Sequence, residues 1–296
     1  MTTTLLPSWL QVVQDAIERS IETARVPHAI LLESAPGWGV FDLADRLAAT
    51  LLSVDASYDL SRHLDYLHIE LEGRSSLISI NQIRDAIDFL STTAREGERK
   101  LVLVKEADRL SIPASQALLK VLEEPPLNKH LLLATTNSAA LLPTIRSRCA
   151  KFVVQNGTKE QVIEFLEARD GDTADVNEFL RDYGGAPYAA LAAFEQKRIN
   201  LTAALTRFAR EQIALTELAR ELRQEEADDI LLRWQYITLR VARNSASVQS
   251  VATFYDELSD IRRQFREVPG LDRERQLIRL LIKWRELLAK HQRLQR

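Results

Sequence analysis

The sequence predicts an α/β core, a parallel sheet flanked by helices, followed by an all-helical C-terminal half. Three observations carry this. Short apolar runs without polar alternation recur between residues 28 and 154, each separated from the next by a segment of helical period. Strand patterning fades beyond Gln155. Nine glycines and nine prolines in 296 residues are few, as expected of a helix-rich chain with short connections.

Taken in order, "PSWLQVVQDAIERSIETAR" has helical periodicity, with Trp9, Val12, Val13, Ala16, Ile17 and Ile21 on one stripe, and Pro27 ends it. "HAILLE" is the first strand, and a helix follows over roughly 42–52. Residues 53–64 are polar and weakly patterned. "YLHIELE" (66–72) is a second strand, and 77–94 holds a helix starting near Asn81. "KLVLVKEADRL" contains a four-residue apolar run bounded by charge, the pattern of a buried parallel strand. In "SIPASQALLKVLEEPP", Ser111 is a candidate N-cap, Pro113 falls in the first turn, and Pro125-Pro126 stops the helix. "HLLLATT" (130–136) is another strand, and "LLPTIRSRCAKFVV" gives a short helical turn and a last strand. Residues 157–195 read as a small helical domain. From Leu201 the pattern is helical to the end, broken near 244–249 and at Pro269-Gly270. The last helix, about 272–292, places Leu277, Leu280, Leu281, Trp284, Leu287 and Leu288 on one face and much Arg and Lys on the other.

Composition narrows the function classes. At 46% hydrophobic and 27% charged, the chain can form two or three domains with their own cores. A net charge of −3 supplies no global basic field for nucleic acid. The single cysteine, Cys149, excludes an internal disulfide framework and any multi-cysteine metal site. No charged stretch leads into an apolar core at the N-terminus, and no apolar run approaches about 18 residues. The expectation is a soluble cytoplasmic protein with no membrane partner.

Between the first strand and its helix lies "SAPGWGVF", residues 34–41. Strand, glycine-bearing turn and helix are the layout of a phosphate-binding loop. Such a loop cradles phosphate with backbone amides, reaches the outer phosphates with a lysine, and binds magnesium through a Ser/Thr hydroxyl. Gly37 and Gly39 keep the frame, but Val40 and Phe41 stand where the lysine and the hydroxyl belong. Taken alone, the stretch reads as a simple tight turn. "LVLVKEADRL" resembles the acidic strand end that holds magnesium in such ATPases, but Lys105 occupies the aspartate position. Alone, it too reads as a buried strand running into a solvated turn. After "ATTN", a short segment delivers Arg146 and Arg148. Such arginines usually form surface salt bridges, yet their placement after a sheet strand also suits an arginine offered to a neighbouring subunit.

Together these stretches resemble the clamp-loader branch of the AAA+ ATPases. "HAILLESAPGWGV", "QALLKVLEEPP" and "SRC" (Ser147, Arg148, Cys149) carry the resemblance, which is close over about 27–154 and looser to about 195. It implies an AAA+ core with a degenerate P-loop over 1–155, a helical lid over 156–200 and a helical collar over 201–296 that assembles a five-subunit ring. It also implies that Arg148 acts in trans on ATP held by the next subunit, with Arg146 a less specific match. The sensor arginine of the lid falls on Ala189. The relatives' four-cysteine zinc module has no counterpart in "SVDASYDLSRHLDYL", so no zinc is expected, and His63 and His68 alone make a poor site.

The implied role is that of a non-hydrolysing subunit of a DNA polymerase III clamp loader, itself part of a DNA-directed DNA polymerase holoenzyme. No nucleotide is expected on this chain, with ATP and magnesium in its neighbours. The implied partners are gamma/tau- and delta-type subunits, with the sliding clamp and primer-template DNA reached through the complex. The alternative is an active gamma/tau-like motor with an atypical site, against which Val40, Phe41, Lys105 and Ala189 all speak. A stand-alone DNA-binding module would use the basic face of the last helix and the helix near Asn81, but the acidic total charge disfavours strong independent affinity.

Overall fold

The apolar runs pair side by side into one parallel sheet. The structure, a computed structural model, describes residues 6–23, 25–73, 75–169, 173–243, 248–267 and 270–294. In it β1 is Ala29–Glu33, β2 Tyr66–Ile69, β3 Lys100–Val104, β4 Lys129–Thr135 and β5 Ala150–Val153. The order across the sheet is β2-β3-β4-β1-β5. In β1, Leu31 lies opposite Leu133 of β4 on one side and Lys151 of β5 on the other. Val102 of β3 faces Leu131 of β4 and Leu67 of β2. Every residue of β3, and every residue of β4 after Lys129, is buried. Burial on both faces is why these strands read as unbroken apolar runs.

The first six helices are α1 (Ser8–Glu22), α2 (Val40–Leu52), α3 (Ile80–Ser91), α4 (Ile112–Glu123), α5 (Pro143–Arg146) and α6 (Lys159–Glu167). Ser79 and Gln82 form a reciprocal capping box that starts α3 one residue before Asn81. Ser111 caps α4 as expected, accepting the Ala114 N–H at 3.3 Å, and the helix ends before Pro125-Pro126. Strand β2 is shorter than 66–72. Its Ile69 pairs with Val104, the last residue of β3, and the Glu70 carbonyl is then taken by the Gln82 side chain at 2.8 Å. The chain leaves the sheet there because its partner strand has ended.

Helix α1 departs from the expected stripe. Leu10 is fully buried and Val12 is 69% exposed. The buried face runs through Trp9, Leu10, Val13 and Ile17, and Val12, two residues on from Leu10, lies about 200° around the helix from it. The helix also stops at Glu22, before Pro27, with the Thr23 hydroxyl donating to the Arg19 carbonyl.

A buried carboxylate orders the loop before β3. Asp65 accepts the backbone N–H groups of Arg95 (2.9 Å), Glu96 (2.7 Å) and Gly97 (3.2 Å). Burial pushes its pKa up, but those three donors and the charge of Lys100 outweigh burial and hold it below the usual carboxylate value.

The chain divides into two compact units, Met1–Phe165 and Leu166–Arg296. The second is helical: α7 (Thr173–Asp182), α8 (Pro187–Glu195), α9 (Leu201–Ala209), α10 (Leu215–Leu222), α11 (Ala227–Ala242), α12 (Val248–Glu267) and α13 (Arg273–Leu294). Of the expected breaks, 244–247 and Pro269 lie outside the described residues. Trp234, Phe254 and Trp284 meet with ring centroids 5.5–6.0 Å apart and tie α11, α12 and α13 together. The expected stripe of α13 faces this core: Leu277, Leu280, Leu281, Trp284 and Leu287 are buried, and Leu288 packs partly buried against them.

A buried ionic network also sits in the second unit. Arg233 is fully buried, donates to the Ile199 carbonyl at 2.7 Å, and pairs with Glu225 and, at 3.0 Å, with Asp229. Asp182 is likewise fully buried and accepts the N–H groups of Leu201 (2.6 Å) and Thr202 (3.0 Å), which caps the start of α9. Burial raises the pKa of Asp182 despite these bonds. Among the described residues, no helix is long and apolar enough to cross a membrane.

Two outcomes follow. Asp65→Asn is expected to cost about 1–3 kcal/mol at pH 7, because charge-assisted bonds to three N–H groups are weakened. A carboxyl with a lowered folded pKa stabilises above its unfolded value, near 3.9, and loses that contribution as pH falls through the folded value. The gap between wild type and variant in urea unfolding should therefore shrink below about pH 4, and a gap unchanged down to pH 3 contradicts the assignment. Arg233→Ala leaves the largely buried Glu225 without its cation and Asp229 with only the Arg198 cation, and should destabilise the second unit by about 3 kcal/mol, read as a lowered urea midpoint for the helical signal.

Candidate functional site

In the first unit the glycine loop, Lys105 and the turn after β4 lie at the carboxyl ends of their strands, where a parallel sheet gathers its loops, whereas Arg146, Arg148 and Cys149 lie just before the amino end of β5. Strand β1 ends at Glu33. The Ser34 N–H donates to the Thr135 carbonyl at 3.3 Å, and the Trp38 N–H closes a turn onto the Ala35 carbonyl at 3.3 Å. Gly37 and Gly39 have φ of +75° and +87°, left-handed values that glycine adopts without strain, and Gly39 is the N-cap of α2. The stretch is thus a tight glycine-bearing turn that leads directly from β1 into α2.

Trp38 is buried, and its carbonyl accepts the Trp9 indole N–H at 3.3 Å. The Trp9 ring lies edge-on to Trp38 at 5.8 Å and to Phe165 at 5.3 Å. A Cβ added at Gly157 would come within 2.6 Å of the same ring, so glycine is required there for the close approach. Val40, expected from the sequence resemblance to replace a lysine, is 2% exposed and faces the core. Phe41 is partly buried. Neither can neutralise a triphosphate.

At the end of β3, the Lys105 ammonium lies 2.7 Å from Asp45 Oδ2 on α2. The lysine charge at the end of β3 is thus already matched by an internal carboxylate. Burial first, and then the charge of Lys105, push the His68 pKa down. At the end of β1, burial tends to raise the Glu33 pKa, but Lys151 (2.6 Å) and the Ser138 N–H (3.0 Å) together bring it below the ordinary value. The Thr135 hydroxyl donates to Asp108 at 2.5 Å and accepts the Asn137 N–H at 3.0 Å, fixing the turn after β4.

The two arginines that follow have different surroundings. Arg148 donates from one terminal nitrogen to the Thr144 carbonyl at 3.1 Å and pairs through the other with Glu123 at 2.9 Å, its side chain 36% exposed. Arg146 Nε is buried without a hydrogen-bond partner. Between the arginine motif and β5, Cys149 is a lone thiol whose pKa burial pushes up to about 11. Ala189 sits on α8 of the second unit, where a methyl group offers a phosphate nothing. His63 Nδ1 accepts the Asp65 N–H at 3.1 Å. Among the described residues, no group of three or more His, Cys, Asp or Glu side chains is placed to hold a metal ion.

The structure thus brings Lys105 to α2 and Arg148 to the end of α4, neither of which follows from sequence spacing. The partners Asp45, Asp108, Glu123 and Lys151 were not singled out in sequence. Asp45 lies sixty residues from Lys105, and only the sheet order makes them neighbours.

Comparison with known proteins gives the family of the chain. The family model described as DNA polymerase III, delta subunit, matches residues 10–158, half of the chain. The delta' subunit of DNA polymerase III from Pseudomonas aeruginosa is 31% identical over 215 residues, covering 66% of this chain and 66% of that protein, just under two thirds of its length. The delta' subunit from Yersinia pestis is 26% identical over 325 residues, covering 95% of this chain and 96% of that protein. A gamma subunit from Buchnera aphidicola is 28% identical, over 51% of this chain and 45% of that protein. Among solved structures, a DNA polymerase III gamma subunit-related protein from Thermotoga maritima superposes with a TM-score of 0.56 at 22% identity, covering 94% of this chain and 99% of that one. The fold is an α/β core with a parallel sheet flanked by helices, followed by an all-helical region, as in that structure. With the family model matched over half its length and delta' subunits among its relatives, the chain belongs to the DNA polymerase III delta subunit family.

Proposed function

We propose that this chain is a delta'-like, non-hydrolysing subunit of a cytoplasmic DNA polymerase III clamp loader. It organises the AAA+ ring and supplies Arg148 in trans to ATP and magnesium held by a neighbouring gamma/tau-type subunit while the sliding clamp is loaded onto primed DNA. The core is taken as 1–155, the lid as 156–200 and the collar as 201–296. The observation that carries the proposal is the Lys105–Asp45 pair at 2.7 Å. A fixed internal cation at the metal position repels Mg²⁺, and Val40, packed into the core, supplies no charge for the phosphates. A chain with that site acts on ATP through a neighbour. Arg148 is suited to this because its charge is permanent, its fork is planar, and its side chain is partly exposed just beyond α5.

Two experiments test it. The isolated chain, incubated with Mg-ATP, is expected to release no phosphate above background, and steady turnover by the purified chain would instead favour the motor reading. In a complex assembled with gamma/tau- and delta-type subunits, Arg148→Ala should leave the melting temperature of the chain within about 2 °C of wild type, since an exposed ion pair contributes only about 0–1 kcal/mol. It should sharply reduce ATPase stimulated by DNA and clamp, because an arginine finger is worth about 10³–10⁵ in rate at its site. Full stimulated activity in that complex would remove the trans role.

A further inference from the structure

The two arginines after β4 differ in one respect that bears on how the finger works. Arg148 is held at both terminal nitrogens by its own chain: by Glu123 at 2.9 Å and by the Thr144 carbonyl at 3.1 Å. Arg146 makes neither contact, and its Nε is buried unpaired. Glu123 is the last residue of α4, and Thr144 lies within α5. The two helices are set by one core, since Leu118 and Leu122 of α4 share a buried cluster with Leu141 and Ile145 at α5. Both anchors therefore sit on a rigid platform.

A guanidinium has five N–H donors. Two are used here, leaving the Nε–H and one N–H on each terminal nitrogen, on a side chain still 36% exposed. We propose that Glu123 is the positioning residue for Arg148, fixing the guanidinium in the orientation in which it meets the neighbour's ATP. This rests on the trans role of Arg148 proposed above. A long arginine side chain otherwise has to surrender its rotamer freedom at the moment of contact, and orienting it beforehand lowers that cost. The Glu123 side chain is 53% exposed, so in the free chain the pair biases the rotamer by a few-fold only. Burial of the pair against a neighbouring subunit strengthens it, because screening by water falls.

The test uses the assembled complex with Glu123→Ala, Glu123→Gln and Glu123→Asp beside Arg148→Ala, measuring kcat and KM for ATP under stimulation by DNA and clamp. Glu123→Ala is expected to lower kcat by about three- to tenfold with KM unchanged. Glu123→Gln, which keeps the shape without the charge, should fall part of the way, and Glu123→Asp should recover most of the loss. The double variant Glu123→Ala/Arg148→Ala should be no slower than Arg148→Ala alone. If Arg148→Ala is impaired while Glu123→Ala keeps or raises kcat, or if the two losses simply add, Glu123 is not the positioning residue. If Arg148→Ala itself has no effect, the trans role fails and the role of Glu123 falls with it.

Discussion

Strands β1, β3 and β4 present almost no side chain to water, and that burial governs where every other element can go. A parallel strand buried on both faces requires helices on both sides of the sheet, and each crossover has to return to the opposite edge before the next strand begins. All five carboxyl ends therefore collect on one side. The glycine loop, Lys105 and the Thr135–Asp108 turn lie on or just beyond that edge because of the sheet, not through any attraction among themselves, while Arg148, just ahead of β5, lies towards the amino ends. The loop frame is part of the same constraint. Gly39 begins α2 in a left-handed conformation, and α2 packs on the sheet through Leu43, Ala44 and Leu47. A loop of this shape is retained for as long as the helix has to start there, whatever chemistry its side chains carry.

Charge decides what the edge can do. A nucleotide site needs cations facing the phosphates and anions facing the metal. At this edge Val40 is buried and uncharged, and the Lys105 charge is matched by Asp45. The Trp9–Trp38 contact and the close approach of Gly157 add a second obstacle, because they tie the middle of the loop to α1 and to the segment after β5. A loop fixed by packing from below has little freedom to close on a ligand above.

The second unit reaches rigidity by a different route. Its apolar core is centred on three aromatic rings, while the buried Arg233 and Asp182 and the largely buried Glu225 and Asp229 pair with one another and with backbone groups, Arg233 Nε alone among them lacking a partner. Such a network is costly to disturb, since removing one member leaves a buried charge alone. It fixes the starts of α9 and α11 relative to α7 within that unit.

Local chemistry made much of this legible in the sequence. The apolar runs of β1, β3 and β4, the Ser111 cap, the Pro125-Pro126 stop and the stripe of α13 each depend on a few neighbouring residues, and the structure keeps them. That Val40, Phe41 and Ala189 carry no charge or hydroxyl was readable too, because side-chain chemistry is the same in any fold. Tertiary structure decided what depends on distant partners. It chose Leu10 over Val12 on α1, ended β2 where β3 ends, matched Lys105 with Asp45, and anchored Arg148 but not Arg146. Each of these rests on segments that only the strand order and helix packing bring within a few ångströms, and sequence periodicity carries no information about which distant residue arrives there.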